Sequence, residues 1–191
     1  MAPGSVLCEA VDRLLARVAA GEPEGGGRDG DLPAFRRLRS LLSSPQQEPG
    51  DCAALARRLA DEPLATTTRV ELLVRAVDMT ATEVELTAAL DELVDAVADR
   101  PVLAAVAAED LDGAHRYRAP LADPAAVLAV VRTLGDSGDL VRGLLAAALA
   151  TALGSRQGWP EQCRAAVLAL RRHPEPDVRE SAYEADLSDA D

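Results

Sequence analysis

Apolar residues recur three or four positions apart along most of the 191-residue chain, which is the spacing of an α-helix. No run alternates apolar and polar residues for long enough to predict a strand. Residues 140–153 (LVRGLLAAALATAL) are apolar on almost every face, and a helix of this kind must be buried on several sides. The stretch is shorter than the roughly 20 residues that cross a bilayer. We therefore predict an all-α fold organised around this helix, with no membrane partner.

Breaks in the apolar pattern divide the chain into consecutive parts. Residues 1–20 predict an amphipathic helix, and the glycine-rich residues 21–31 predict a flexible linker. Residues 32–50 combine a helix with a second linker. Residues 51–187 alternate helical segments with short breaks, which favours a compact domain of antiparallel neighbours. Residues 188–191 form an acidic tail.

The first four helices of the 51–187 domain are predicted over about residues 51–60, 67–77, 80–98 and 101–109. Thr80 and Glu83 have the spacing of a capping box at the start of the third helix. Pro101 opens the fourth, where its missing amide hydrogen costs nothing. Residues 110–122 are rich in polar side chains, glycine and proline, so they predict the one long irregular connection inside the domain.

The charge balance limits the class of partner. The chain has 32 acidic and 20 basic residues, for a formal net charge of −12. Nucleic-acid binders usually present a basic surface that displaces counterions from phosphates, so a nucleic-acid partner is not expected. Every basic residue is arginine, which is typical of high-GC bacterial coding. The three cysteines lack disulfide or metal-ligand spacing and no signal peptide is recognisable, so we expect a cytoplasmic protein.

Two polar clusters are candidates for contact with a partner. The cluster in the 110–122 connection is either a solvated turn or an anchor for an acidic or peptide partner, using an aromatic ring and arginines. The basic face of the helix in 32–50 is either solvated or a contact for an acidic partner. No acid–base group accompanies the histidine of the first cluster, so it is not predicted to be catalytic. The candidate partner-binding residues are His115, Arg116, Tyr117, Arg118, Arg36, Arg37 and Arg39.

The last part of the chain contains an internal repeat. Residues 125–129 (AAVLA) recur as residues 165–169, and a proline at the start of a helix precedes each copy, Pro124 and Pro160. The pair Val-Arg at 141–142 recurs at 178–179. Helix pairs that recur at this period are the signature of an α-solenoid, in which each hairpin covers the apolar face of its neighbour.

Residues 168–182 resemble the turn and second helix of the HEAT repeat, and residues 136–142 resemble a second such turn. The resemblance implies a HEAT-like, armadillo-type α-solenoid, which is a right-handed stack of antiparallel helix hairpins. It also implies bonds between turn arginines and the acidic residues of neighbouring turns. The residues concerned are Arg142, Arg179, Asp136, Asp139 and Asp177. His173 departs from the family pattern, because it stands where the turn has an aspartate.

The motifs of the common enzyme classes are missing from the chain, including phosphate loops, zinc-protease helices and nucleophile elbows. We therefore expect no catalytic residue, cofactor or metal. The expected function is a non-catalytic protein–protein interaction scaffold or adaptor that binds another protein along the surface formed by successive second helices. The alternatives are a regulatory subunit that docks through its N-terminal helix and, less favoured, an enzyme on a HEAT-like scaffold.

Overall fold

The computed structural model describes residues 3–20, 40, 42 and 47–187, and all regular structure in this part of the chain is helical. The predicted all-α class is confirmed for these residues. The predicted linker, the acidic tail and Arg36, Arg37 and Arg39 lie outside them. The helices are α1 Pro3–Ala19, α2 Pro49–Arg58, α3 Thr66–Ala76, α4 Glu83–Val97, α5 Pro101–His115, α6 Ala125–Gly135, α7 Leu140–Gln157, α8 Glu161–Leu170 and α9 Pro176–Glu184, with a 3-10 turn at Pro63–Ala65.

The chain divides into two compact units, Met1–Leu72 and Leu73–Asp191, whereas the sequence predicted a boundary at residues 50 and 51. In the first unit α1 contacts α2. Val11 of α1 is fully buried, and Asp12 accepts a hydrogen bond from Arg58 of α2 at 2.6 Å. The N-terminal helix therefore packs within its own unit through these residues.

Helix α4, the first helix that lies wholly in the second unit, begins with a capping box, but not the one predicted. The Oγ1 of Thr82 accepts from the backbone N–H of Glu85, and the Glu85 carboxylate accepts from the N–H of Thr82 at 3.1 Å. The predicted cap, Thr80, is engaged elsewhere, because its N–H and hydroxyl both donate to Asp78. The helix begins at Glu83 as a result, three residues after the predicted start.

Helix α5 is six residues longer than predicted, because it continues from 109 to His115. Its inward stripe contains Ala104, Ala107 and Ala108, and Leu111 and His115 extend the same stripe by one more turn. Gly113 is tolerated there on the exposed side of the helix. The irregular connection is consequently confined to residues 116–124.

Helix α7 is the central helix of the second unit, where it contacts α4, α5, α6, α8 and α9. It contains the predicted stretch 140–153, and Leu145, Leu149 and Leu153 are among its fully buried side chains. Glycine lets neighbours approach its backbone closely. A Cβ on Gly143 would lie 2.6 Å from Cγ2 of Val178, and a Cβ on Gly154 would overlap the ring of Trp159.

The remaining contacts of the second unit connect its helices in two series. Helix α6 contacts α4 and α8, and helix α7 contacts α5 and α9. Helices consecutive in sequence also pack in pairs, α4 with α5, α6 with α7 and α8 with α9. We refer to α5, α7 and α9 as the second-helix row. Among the described residues, no helix has the length and hydropathy needed to cross a membrane.

Candidate functional site

A groove of about 680 Å³ lies along the second-helix row. We call it the acidic groove, because five acidic side chains line it. Its floor is formed by one face of α7, with Leu144, Ala148 and Thr151 at helical spacing. Its walls are formed by α5 on one side and α9 on the other. All three helices belong to the second unit, so the groove is a feature of that unit alone.

Both walls of the groove carry acidic side chains. Glu109 and Asp112 line it from α5, and a second set lines it from α9: Asp177, Glu180 and Glu184. One arginine, Arg116, also lines the groove and forms an ion pair with Asp112. Five carboxylates against one guanidinium leave a formal net charge of −4. An anionic ligand is therefore disfavoured in the groove and a cationic one is favoured.

Two residues of the groove offer further contacts. Thr151 on the floor is only 8% exposed, and its hydroxyl forms no hydrogen bond with the described residues but keeps accessible surface. Tyr117 stands at the end of the α5 wall with 88% of its surface exposed. An exposed tyrosine combines an apolar ring with a hydroxyl, which suits it to contacts with other proteins.

A second, smaller cavity of about 350 Å³ lies between α6 and α8. Val131 and Leu170 form its apolar wall, and Arg132 and Arg172 lie at its edge. Arg132 is in the last turn of α6, where a positive side chain complements the helix dipole, and Arg172 lies two residues after the end of α8. A structural role in its own helix accounts for Arg132.

The structure separates the residues of the predicted 110–122 cluster. His115 is 2% exposed inside the unit and interacts with the backbone of Val77, so it is not available to a partner. Arg116 and Tyr117 line the groove. Arg118 donates a hydrogen bond to the backbone oxygen of Ala114 at 3.0 Å. The sequence missed this division because it predicted a loop where α5 continues.

Burial and nearby charge set the protonation of His115. Burial is the largest effect, and together with the charges of Arg118 and Arg156 it lowers the pKa of His115 to about 4. Asp78 acts in the opposite direction but does not cancel the effect. The imidazole is therefore neutral at physiological pH, and its Nδ1 has no hydrogen-bond partner among the described residues.

The predicted turn residues form contacts other than the expected arginine–aspartate bonds. The guanidinium of Arg142 forms an ion pair with Asp91 of α4, with 3.0 Å between Nη1 and Oδ1. Arg179 donates to the carbonyl oxygens of His173 and Pro174, both at 2.7 Å. Arg179 therefore stabilises its own turn, and Arg142 connects α7 to α4.

The three predicted acceptors have separate positions. Asp139 caps α7, because its carboxylate accepts from the backbone N–H of Arg142 at 2.9 Å. Asp136 lies at the edge of the smaller cavity, and Asp177 lines the acidic groove. The side-chain contacts that the structure gives for Arg142 and Arg179 are with Asp91 and with the carbonyl oxygens of His173 and Pro174, not with these three aspartates.

The sequence missed a buried arginine that holds the 116–124 connection. Arg156 near the end of α7 is nine-tenths buried and donates twice to the backbone oxygen of Ala119, at 2.6 and 2.9 Å. The neighbouring Gln157 donates to the oxygen of Leu121 at 3.0 Å. These bonds satisfy carbonyl groups that have no helical partner. Local sequence provides no signal for them, because donor and acceptor are far apart along the chain.

The sequence also missed the acidic groove, although a signal was present. Glu109 and Asp112 are three residues apart on α5, and the three acidic residues of α9 follow at intervals of three and four. Such intervals place side chains on one face of a helix. No cluster of histidine, cysteine and acidic residues in the described part of the chain is arranged to hold a metal ion.

Comparison with known proteins identifies no relative. No family model, curated protein or solved structure matches the chain. The HEAT-like solenoid therefore stays a prediction from the residues quoted above.

Proposed function

We propose that this protein is a non-catalytic protein-binding scaffold or adaptor whose second unit is a short HEAT-like stack. Three features support the stack: the repeated 125–129 and 165–169 segments, the packing of consecutive helices in pairs, and the two series of contacts through α6 and α7. In an α-solenoid, each hairpin contacts its neighbours through both of its helices. The right-handed stack of antiparallel hairpins is part of this proposal.

The acidic groove is the observation that carries the proposed function. It runs over the second helix of each pair, and three separate helices line it. Along α5 the groove extends from Pro101 to Tyr117. A surface of this kind suits a segment of another protein, which can contact several helices at once.

The proposal can be tested by filling the groove. Ala105 is an exposed alanine on the α5 wall, so Ala105→Trp places a large ring in the groove without disturbing the core. Ala165→Trp makes the same change at an exposed site on α8, outside the groove. The tagged wild type and both variants are used to capture partners from the source cells, with quantification by mass spectrometry.

We expect one or more proteins that are retained by the wild type and by Ala165→Trp and are lost with Ala105→Trp. Retention of the same proteins by all three forms would refute the groove as the binding surface. Equal thermal unfolding of the two variants is the control for folding.

The other functions considered from sequence have less support. Docking of the N-terminal helix on a partner is disfavoured, because Val11 of α1 is already buried within the first unit. For the compartment we propose the cytoplasm, because Cys8, Cys52 and Cys163 form no disulfide, as in reducing compartments.

A further inference from the structure

We infer that the occupant of the acidic groove is an arginine- or lysine-bearing segment of the partner protein. This inference rests on the proposed function and specifies the chemistry of the partner. The two rows of carboxylates, from α5 and α9, line the same groove, and its one arginine, Arg116, is paired with Asp112 of the α5 row. A cationic side chain placed in the groove can contact both rows and relieve the repulsion between them.

The floor supports the same occupant. Thr151 is more than nine-tenths buried as a residue and lines the groove, and its hydroxyl forms no hydrogen bond with the described residues but keeps accessible surface. The hydroxyl oxygen keeps accessible surface on the groove side, so a guanidinium or ammonium N–H in the groove could donate to it in place of water. Thr151 is independent of the acidic walls, because it belongs to α7 and carries no charge.

The apolar residues of the floor fit the rest of such a side chain. Leu144 and Ala148 lie beside Thr151 on α7, and Ala108 faces them from α5. Arginine and lysine have long aliphatic stems that pack on apolar surface while the charged group reaches an acidic partner. Nucleic acid is excluded as the occupant by its phosphates, which the same carboxylates repel.

The test uses a fluorescent peptide, Arg-Ala-Leu-Arg-Arg-Ala-Leu-Arg, and the same peptide with glutamine in place of every arginine. Binding to the full-length protein is measured by fluorescence anisotropy. We expect the arginine peptide to bind, with an affinity that falls as salt is added, and the glutamine peptide to bind far more weakly.

A pair of matched double variants separates the groove from the overall charge of the protein. Glu180→Gln with Glu184→Gln neutralises two carboxylates of the α9 wall. Glu83→Gln with Glu161→Gln neutralises two exposed carboxylates outside the groove. We expect the groove pair to weaken binding about tenfold and the control pair to weaken it less than about twofold. Equal weakening by the two pairs, or no binding of the arginine peptide, would overturn the inference.

Thr151→Val tests the contact with the floor of the groove. Replacing the hydroxyl by a methyl group keeps the shape of the side chain and removes the acceptor, so it should weaken peptide binding about threefold. Unchanged peptide affinity would show that the floor is not contacted. The binding of spermidine, a small polycation, is measured in the same way. If spermidine binds more tightly than the peptide, the ligand of the groove is a small polycation and not a protein segment.

The failure of this inference is distinguishable from the failure of the proposed function. If the arginine peptide does not bind but Ala105→Trp still abolishes capture of the partner, the groove binds a protein of different chemistry. If Ala105→Trp changes nothing, the groove is not the interaction surface, and both conclusions fall.

Discussion

His115 ends helix α5 on its buried side, one turn after Leu111. The side chain is neutral because burial, with Arg118 and Arg156 nearby, lowers its pKa to about 4. A histidine in the unfolded chain has a pKa of about 6.5. Between pH 4 and about 6.5, unfolding of the protein is therefore accompanied by protonation of His115.

We expect His115 to make the protein less stable as the pH falls from 6.5 to 4. In this range the unfolded state binds a proton and the folded state does not, so the stabilisation is complete above pH 6.5 and is lost as the pH falls toward 4. The difference in pKa corresponds to about 3 kcal/mol in the free energy of unfolding. His115→Gln should remove this part of the pH dependence.

The measurement is denaturant unfolding of the wild type and His115→Gln at a series of pH values. The quantity compared is the slope of the free energy of unfolding against pH. The free energy at a single pH is not suitable, because the substitution also changes the contact with Val77. Parallel pH profiles for the two proteins would contradict the burial-induced shift.

At the scale of elements, the start of α4 shows how competing local signals are resolved. Two capping-box patterns overlap in the sequence, Thr80 with Glu83 and Thr82 with Glu85. Asp78 binds both the N–H and the hydroxyl of Thr80, which leaves Thr82 to cap the helix. The hydrogen bonds from Thr82 also lower the pKa of Glu85.

We expect Thr82→Ala to destabilise the second unit by about 1 kcal/mol, because it removes the cap of α4. Glu83→Gln should cost only a few tenths of a kcal/mol, roughly the value of an exposed acidic residue in the first turn. Both values come from denaturant unfolding at neutral pH. If Glu83→Gln lowers the free energy of unfolding more than Thr82→Ala does, the capping box first predicted, Thr80 with Glu83, would be the correct one.

At the scale of the whole molecule, each compact unit contains a buried thiol that reports its unfolding. Cys52 lies in the first unit and Cys163 in the second, and neither has exposed surface. Burial raises the pKa of the Cys163 thiol, which makes it less reactive still in the folded state. The two residues can therefore be labelled separately as denaturant is added.

Gly154→Ala should destabilise the second unit. The added Cβ overlaps the Trp159 ring, and overpacking of this kind costs about 2 kcal/mol after the small gain in helix propensity. Labelling of Cys163 should move to lower denaturant concentration and labelling of Cys52 should not. Gly113→Ala is the control, because nothing lies near that position and alanine there favours the helix. Equal movement of both thiols would show that the two units unfold as one.

The sequence by itself determined the class of the fold and most of its helices. Helical spacing and the apolar stretch 140–153 were sufficient for this, because secondary structure and burial of an all-apolar helix depend on local pattern. The helices predicted over 51–60 and 67–77 lie at Pro49–Arg58 and Thr66–Ala76, within the usual uncertainty of helix ends. For the candidate site, Arg116 and Tyr117 were predicted, but their acidic surroundings were not.

Only the tertiary structure decided which faces meet. Leu128 and Leu168 are equivalent in the internal repeat, yet the first is 4% exposed and the second 43%. Helix α6 contacts two helices of its series, α4 and α8, whereas α8 is the last of that series and contacts only α6 within it. The acidic groove likewise requires α5 and α9 on either side of α7. Such features depend on contacts between distant segments, which periodicity along a single helix does not determine.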